Sequence, residues 1–383
     1  MNLRKYIIAL FFVVIALITL GNVMVLSASF SYSSLRYADE YKLFYSHLTK
    51  SFIALIAMAI FAVIPYARYK KYSKILIIVS TLLLIATLIF APERKGAGRW
   101  LSLGLFSFQP AEMAKIKLVI YLAALIERKR SSGFFDHFKY GYLPVYFWIV
   151  LTAGLILLQP NFSTAFLILA VGFSMLFISG AKIRYIASSI VPMIMAGIVL
   201  VIIYPHARQR MYNFIAAKLG TIESAPNIQV YHAKLGLGSG GLFVRGLGRN
   251  MQGNLFLPEA YGDFIFSIIG EELGFIGAFT VVTFYFAIFF LGWLIAKSAG
   301  NEFGKLLAFG LTMMISITAF VNIGVVIGIL PTTGIPLPFV SFGGTAIVFA
   351  SASIGIIINV AFTEIKNQEL KSSIFDESKE VAI

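Results

Sequence analysis

Apolar runs at about 6–28, 51–67, 75–91, 111–126, 143–159, 163–181, 187–204, 267–296, 305–327 and 344–363 punctuate the whole chain. Each is long enough, or nearly so, to cross a bilayer as a helix. Backbone groups in hydrocarbon have no water to bond, so each span must satisfy its own N–H and C=O groups. The sequence therefore predicts an all-α polytopic membrane protein with about ten transmembrane helices. Composition agrees, since 59% of the 383 residues are hydrophobic and 13% are charged, where soluble chains carry roughly 25% charged residues. The first run would be roughly 34 Å long as a helix, longer than a signal-peptide core, and is read as the first span.

Orientation follows from the basic residues in the short loops. Arg4 and Lys5 precede the first span, and Arg68, Lys70, Lys71 and Lys74 lie between the second and third. Arg128, Lys129, Arg130 and Lys139 follow the fourth, and Lys182 and Arg184 the sixth. All four segments fall on one side, which the positive-inside rule makes cytoplasmic. Ten spans then return both termini to the cytoplasm. Residues 1–365 read as a single transmembrane domain and 366–383 as a polar, mobile cytoplasmic tail. The absence of cysteine excludes disulfides and thiolate metal sites. The net charge of +14 suits anionic lipids or a phosphate-bearing substrate. No basic-aromatic module suggests nucleic acid.

Residues 205–263, between helices 7 and 8, form a large extracytoplasmic loop in this reading. It carries Arg208, Arg210, Lys218, Lys234, Arg245 and Arg249 and the glycine-rich stretch GLGSGGLFVRGLGRN. Loops this long are usually functional or disordered, and the glycines argue for close backbone approach. Four polar segments gather on the outer side. In 95–115, Glu112 and Lys115 stand three apart on one helical face, placed to pair. QPNFSTA, 159–165, is a proline-broken turn. PTTGIPLPFVSFGGT, 331–345, puts three prolines and Ser341 at membrane depth, where irregular backbone needs protein or a wet cavity beside it. LPEAYGDFIFSIIGEELG, 257–274, holds Glu259, Asp263, Glu271 and Glu272 amid apolar residues. Acidic groups beside membrane spans are functional-site candidates. Asp263 can cap a helix or serve as a general base; Glu271 and Glu272 can support loops. From the residues alone, the chain is an enzyme or a transporter with an outward-facing polar cavity.

These four segments, in this order on ten spans, resemble the SEDS family (shape, elongation, division and sporulation), the bacterial peptidoglycan polymerases. RWLSLG…FQPAEMAK is similar to the family's RW-x-x-x-G…QPSE-x-x-K, and LGSGGLFVRGLG, LPEA…DFIF…EELG and GIPLPFVSFGG are close to its wording. LPEA and the preceding GLG look more like the cell-division branch than the elongation branch. The resemblance implies an inverting glycosyltransferase of the cytoplasmic (inner) membrane, active at the septum, that joins lipid II units into β-1,4 glycan and releases undecaprenyl pyrophosphate. The family's essential Asp falls on Asp263, the proposed base. Arg99, Lys115, Arg245 and Arg249, or a divalent cation (Mg or Mn), are candidates to hold the pyrophosphate; Glu112, Glu259 and Ser341 join the candidate substrate site. No organic cofactor is implied. A class B penicillin-binding transpeptidase and other divisome membrane proteins are the implied partners. The chain departs from the pattern at Asn161 and Ser163, where Asp and Gly are usual, at Tyr261-Gly262, where His-Thr is usual, and at Gly98, where a second basic residue is common. A lipid II flippase and a non-catalytic divisome scaffold are the competing functions.

Overall fold

The computed structural model describes residues 3–91, 98–102, 107–218, 225–248, 257 and 260–380. Ten helices correspond one for one to the ten apolar runs. They are α1 (Leu3–Tyr37), α2 (Lys42–Val63), α3 (Tyr66–Phe90), α4 (Pro110–Ser131), α5 (Leu143–Leu157), α6 (Phe162–Ile178), α7 (Ile183–Ile203), α10 (Ile265–Ser298), α11 (Glu302–Val326) and α12 (Ala346–Glu380). Eight of them, counting α5 together with the π-helical turn Phe138–Tyr142 before it, are long and apolar enough to span by length and composition alone. The other two are α6, which has 17 residues, and α4, which carries Glu112, Lys115 and Lys117 through its first half. A two-residue antiparallel ladder precedes α4, pairing β1 (Leu101–Ser102) with β2 (Ser107–Phe108).

Three details are added to the sequence reading. The connection 205–263 contains two helices, α8 (Pro205–Lys218) and α9 (Ala225–Ser239). α8 carries Arg208, Arg210 and Lys218 within 14 residues, and α9 has only 15, so neither gives a span-like signal. Helices α1 and α2 extend well past their apolar runs, because polar helical turns continue outside hydrocarbon. Residues from 366 onward continue α12 without a break to Glu380.

Periodicity explains the packing. The buried positions of α2, Leu43, His47, Ser51, Ala54 and Met58, recur every three or four residues and form one stripe. That stripe lies on α12, where Gly355 allows contact: a Cβ there would sit 2.4 Å from the Met58 carbonyl oxygen. The opposite face of α2 presents Phe52, Ile56 and Ile60 outward, as lipid requires. α11 is the hub, buried along most of its length among α4, α6, α10 and α12.

Ion pairs at one end of the bundle record which helix termini share a face. Arg4 meets Glu369 at 2.5 Å, Lys70 meets Glu127 at 2.6 Å, and Arg130 pairs with Glu302. Exposed pairs of this kind stabilise little. They nevertheless place the starts of α1, α3 and α11 beside the ends of α4 and α12, as ten alternating spans demand. The basic loops lie on this face, which is the cytoplasmic one.

The glycine-rich stretch docks against a break in α10. Gly274 has φ +67° and ψ −169°, outside the helical region, and a Cβ there would lie 2.5 Å from the Phe243 carbonyl oxygen. The chain at 241–246 fills the break. Phe275 N–H donates to the Gly241 carbonyl (2.8 Å), and Arg245 N–H donates to that of Glu272 (2.9 Å). The Glu272 carboxyl, fully buried, accepts from Ser27 Oγ (2.5 Å) on α1 and from Gly248 N–H (3.1 Å). Glu272 thus supports a loop, as one reading of the acidic stretch expects. Gly274→Ala combines left-handed strain of about 1–3 kcal/mol with that clash. It is expected to lower the unfolding temperature and to expose 241–248 to proteolysis; a wild-type melting curve and digestion pattern would contradict this.

Candidate functional site

On the outer side, the four polar segments fold into contact through main-chain and side-chain bonds. Asn322 is central. It lies on α11 within an otherwise apolar run, 1% exposed, and its Nδ2 donates to the Asp263 carbonyl (2.8 Å) and the Ile335 carbonyl (2.7 Å). The start of the 260–265 turn is thereby joined to the 331–345 segment. A second tie is Phe342 N–H to the Tyr261 carbonyl at 2.9 Å, with the two rings edge to face at 5.5 Å. Gly334, at φ +71°, lies beside the acid: a Cβ there would be 3.5 Å from Asp263 Oδ2, an ordinary contact distance. Helix α10 takes Phe264, one residue after Asp263, as its N-cap position.

The 335–343 stretch forms one wall of a cleft, with Glu112 and Lys115 of α4 on the other. Lys115 Nζ lies 2.9 Å from Glu112 Oε1, with both side chains about a tenth exposed. The pairing expected from their spacing is present, and both partners face the cleft. Ser341 is buried and its Oγ accepts from Leu337 N–H at 2.8 Å, which closes the PLPFVS turn. Phe339, at the apex, has φ +68° while 1% exposed. A left-handed non-glycine residue costs about 1–3 kcal/mol and persists only where its surroundings fix it. The Tyr285 hydroxyl donates to the Pro338 carbonyl and is part of that support.

Arg99 belongs to the same assembly. Its Nε donates to the Gln159 carbonyl (3.2 Å) and its Nη2 to that of Pro160. Burial, and then the positive charge of Arg210, hold its pKa below the usual arginine value. Trp100 packs on Gly344, whose Cβ would come within 3.0 Å of the ring. Asn161 Oδ1 accepts from Thr164 N–H (3.3 Å) and caps α6, the turn-forming role. Arg245 is exposed on the docked loop. Arg249 and Glu259 lie outside the described residues.

Asn322, Ser163, Arg210 and Lys50 are neighbours of the site that the motifs do not single out as functional. Ser163 Oγ donates to the Thr333 carbonyl at 2.8 Å, and Lys50 Nζ sits 4.1 Å above the Phe342 ring. A signal for Asn322 is present in the sequence, since a lone amide inside an apolar span needs partners there. Asn322→Leu leaves two carbonyls without their donor, at about 1–3 kcal/mol each. Lower thermal stability and slower turnover are the expected result, and a variant matching wild type in both would remove the clamp from the account.

Fold and cleft together define a multi-pass membrane protein whose polar segments meet on one side of the bundle. The chain belongs to the FtsW/RodA/SpoVE family, whose model, described as "Cell cycle protein", matches residues 8–366. It is 33% identical over 354 residues to the probable peptidoglycan glycosyltransferase FtsW of Aliivibrio salmonicida, covering 92% of this chain and 88% of that one. Identity to stage V sporulation protein E of Bacillus subtilis is 31% over 352 residues, 91% and 95% of the two chains. Among solved structures, rod shape determining protein RodA of Thermus thermophilus superposes with a TM-score of 0.66 at 25% identity, covering 93% and 96%. A chain from a structure describing coordination of polymerization and crosslinking by a peptidoglycan synthase complex gives 0.74 at 23%, covering 93% and 97%.

Proposed function

We infer that this chain is a peptidoglycan glycosyltransferase that polymerises lipid II at the outer face of the cytoplasmic membrane. Relatives named as peptidoglycan glycosyltransferases over nearly the whole chain support the reaction class. The observation that carries the site is Asp263: its main chain is clamped by Asn322 and its carboxylate lies beside Gly334 of the 331–345 segment. In the proposed step, the 4-hydroxyl of the acceptor GlcNAc attacks the anomeric carbon of the donor. The hydroxyl proton passes to Asp263, the new C–O bond forms, and the bond to phosphate breaks with its electron pair leaving on the prenyl diphosphate. Direct displacement inverts the α-linked carbon to β. A positioned base of this kind contributes about 10²–10⁴-fold.

Among the described residues, no three His, Asp or Glu side chains converge as a metal cage. Mg²⁺ or Mn²⁺, where the reaction uses one, fits Asp263 as a single carboxylate ligand, with substrate phosphates and water completing the shell. Action at the division septum beside a class B penicillin-binding transpeptidase is the proposed setting, because new glycan strands require crosslinking. The deciding experiment supplies purified chain with lipid II and resolves products by length. Glycan ladders are expected; lipid II that crosses vesicles without polymerising would identify a flippase instead, and neither activity would leave a scaffold.

A further inference from the structure

The docked stretch 241–248 turns its apolar side chains away from the protein. Leu242, Phe243, Val244 and Leu247 are between 55% and 73% exposed. Their main chain is nevertheless held firmly in the α10 break. Phe275 N–H donates to the Gly241 carbonyl, Arg245 N–H to the Glu272 carbonyl, and Gly248 N–H to the Glu272 carboxyl. Gly241 and Gly246, at φ +69° and +117°, bracket the exposed run. Four large apolar side chains on one short, well-held loop form a patch that calls for a cover.

Two counts along helices give the depth of that patch. On α10, residues 275–296 rise roughly 33 Å, enough to cross the roughly 30 Å of hydrocarbon without the turns before the break. On α1, Ser27 bonds through Oγ to the same Glu272 carboxyl. It stands roughly 35 Å along the helix from Arg4 at the cytoplasmic face. Both counts put the loop at the outer edge of the hydrocarbon, where acyl chains meet headgroups. The patch also continues the lipid-facing surface of α10, where Phe275, Ile276 and Phe279 are exposed. Across the break the situation reverses, for Ile265 to Glu272 are all buried.

We propose that 241–248 is a membrane wedge. Leu242, Phe243, Val244 and Leu247 enter the outer leaflet of the bilayer, and the main-chain bonds seat the buried first turns of α10, with the Asp263 turn before them, at that level. Phospholipid is the partner of this surface. Interfacial segments hold such a depth by burying apolar side chains at the boundary of headgroups and acyl chains. The exposed Arg245 suits the position, since long cationic side chains extend from there to the headgroups. Lipid contact of this kind is independent of which reaction the chain catalyses.

The chain has no cysteine, so single cysteines can carry nitroxide labels on the full protein in phosphatidylcholine nanodiscs. Collision with oxygen marks hydrocarbon, and collision with a water-soluble nickel chelate marks water. Labels at Phe243→Cys and Leu247→Cys should match one at Phe279→Cys on the lipid face of α10. They should differ from one at Ser373→Cys, on the cytoplasmic extension of α12. A label at 243 as open to nickel as that at 373 overturns the wedge. A label there reached by neither reagent also overturns it, because protein, such as a second copy of this chain, would then cover the patch. Phe243→Asp tests the driving force, since a carboxylate is costly in hydrocarbon. Combined with Leu247→Cys, it should move the 247 label to the nickel-accessible side. Amide hydrogen exchange at 265–273 should then quicken several-fold, with exchange in α11 unchanged. A 247 label that stays put would show that protein contacts alone hold the loop and would overturn the wedge. Expulsion of the loop without faster exchange at 265–273 would overturn its seating of α10.

Discussion

Asp263→Asn is expected to insert, fold and bind substrate while polymerising lipid II roughly 10²–10⁴-fold more slowly, the usual consequence of losing a general base. The structural argument for a selective effect is specific. Asn322 bonds to the carbonyl of residue 263 and not to its side chain, so the clamp survives the substitution. Asn has nearly the shape of Asp and still accepts hydrogen bonds through Oδ1, while its amide nitrogen donates where the carboxylate accepted. Gly334 meets an amide of that shape as it meets the carboxylate, since even a Cβ there would stand 3.5 Å from Asp263 Oδ2. Basicity is what the change removes. Product analysis after a fixed time, set against melting temperature and yield, separates chemistry from folding. Glycan synthesis near the wild-type rate would remove Asp263 from the role of base and move attention to the other carboxylates on the outer side.

The membrane architecture is legible in the sequence because it depends on run lengths and loop charges, which are local properties. All ten apolar runs are helices, and the cytoplasmic ion pairs join termini that alternation places together. What is not legible depends on pairing across distance. Nothing near Asn322 in sequence says that its amide will bridge Asp263 and Ile335. The break at Gly274 is invisible until the 241–246 stretch is seen filling it. Helices α8 and α9 lie outside hydrocarbon and carry no span-length apolar signal, so the sequence reads as loop there. The four polar segments are recognisable as a group, but Ser341 shows the limit of that recognition. Its hydroxyl is used by Leu337 N–H, so its position in a motif reflects turn closure as well as any contact with substrate. Glu112 and Lys115 are the contrary case, since helical spacing alone foretells the contact.

That contact supports the second large expected effect. Lys115 Nζ and Glu112 Oε1 are 2.9 Å apart with little solvent access, and removing either partner leaves a buried charge alone. Lys115→Met is therefore expected to destabilise the protein by about 3–5 kcal/mol, read as a large fall in melting temperature. Exchanging both residues, Glu112→Lys with Lys115→Glu, restores an i, i+3 pair on the same face of α4. Most of the lost stability should return. A shortfall of about 0.3–1 kcal/mol is expected because the exchange puts a cation in the first helical turn, against the helix dipole. Activity should not return with stability. Both side chains line the cleft opposite the 335–343 wall, and a phosphate-bearing substrate approaching there would meet a carboxylate where the ammonium stood. Like charges then repel and binding weakens. A swapped protein that recovers both melting temperature and polymerase activity would show that the pair serves only the fold, and Lys115 would leave the list of substrate contacts.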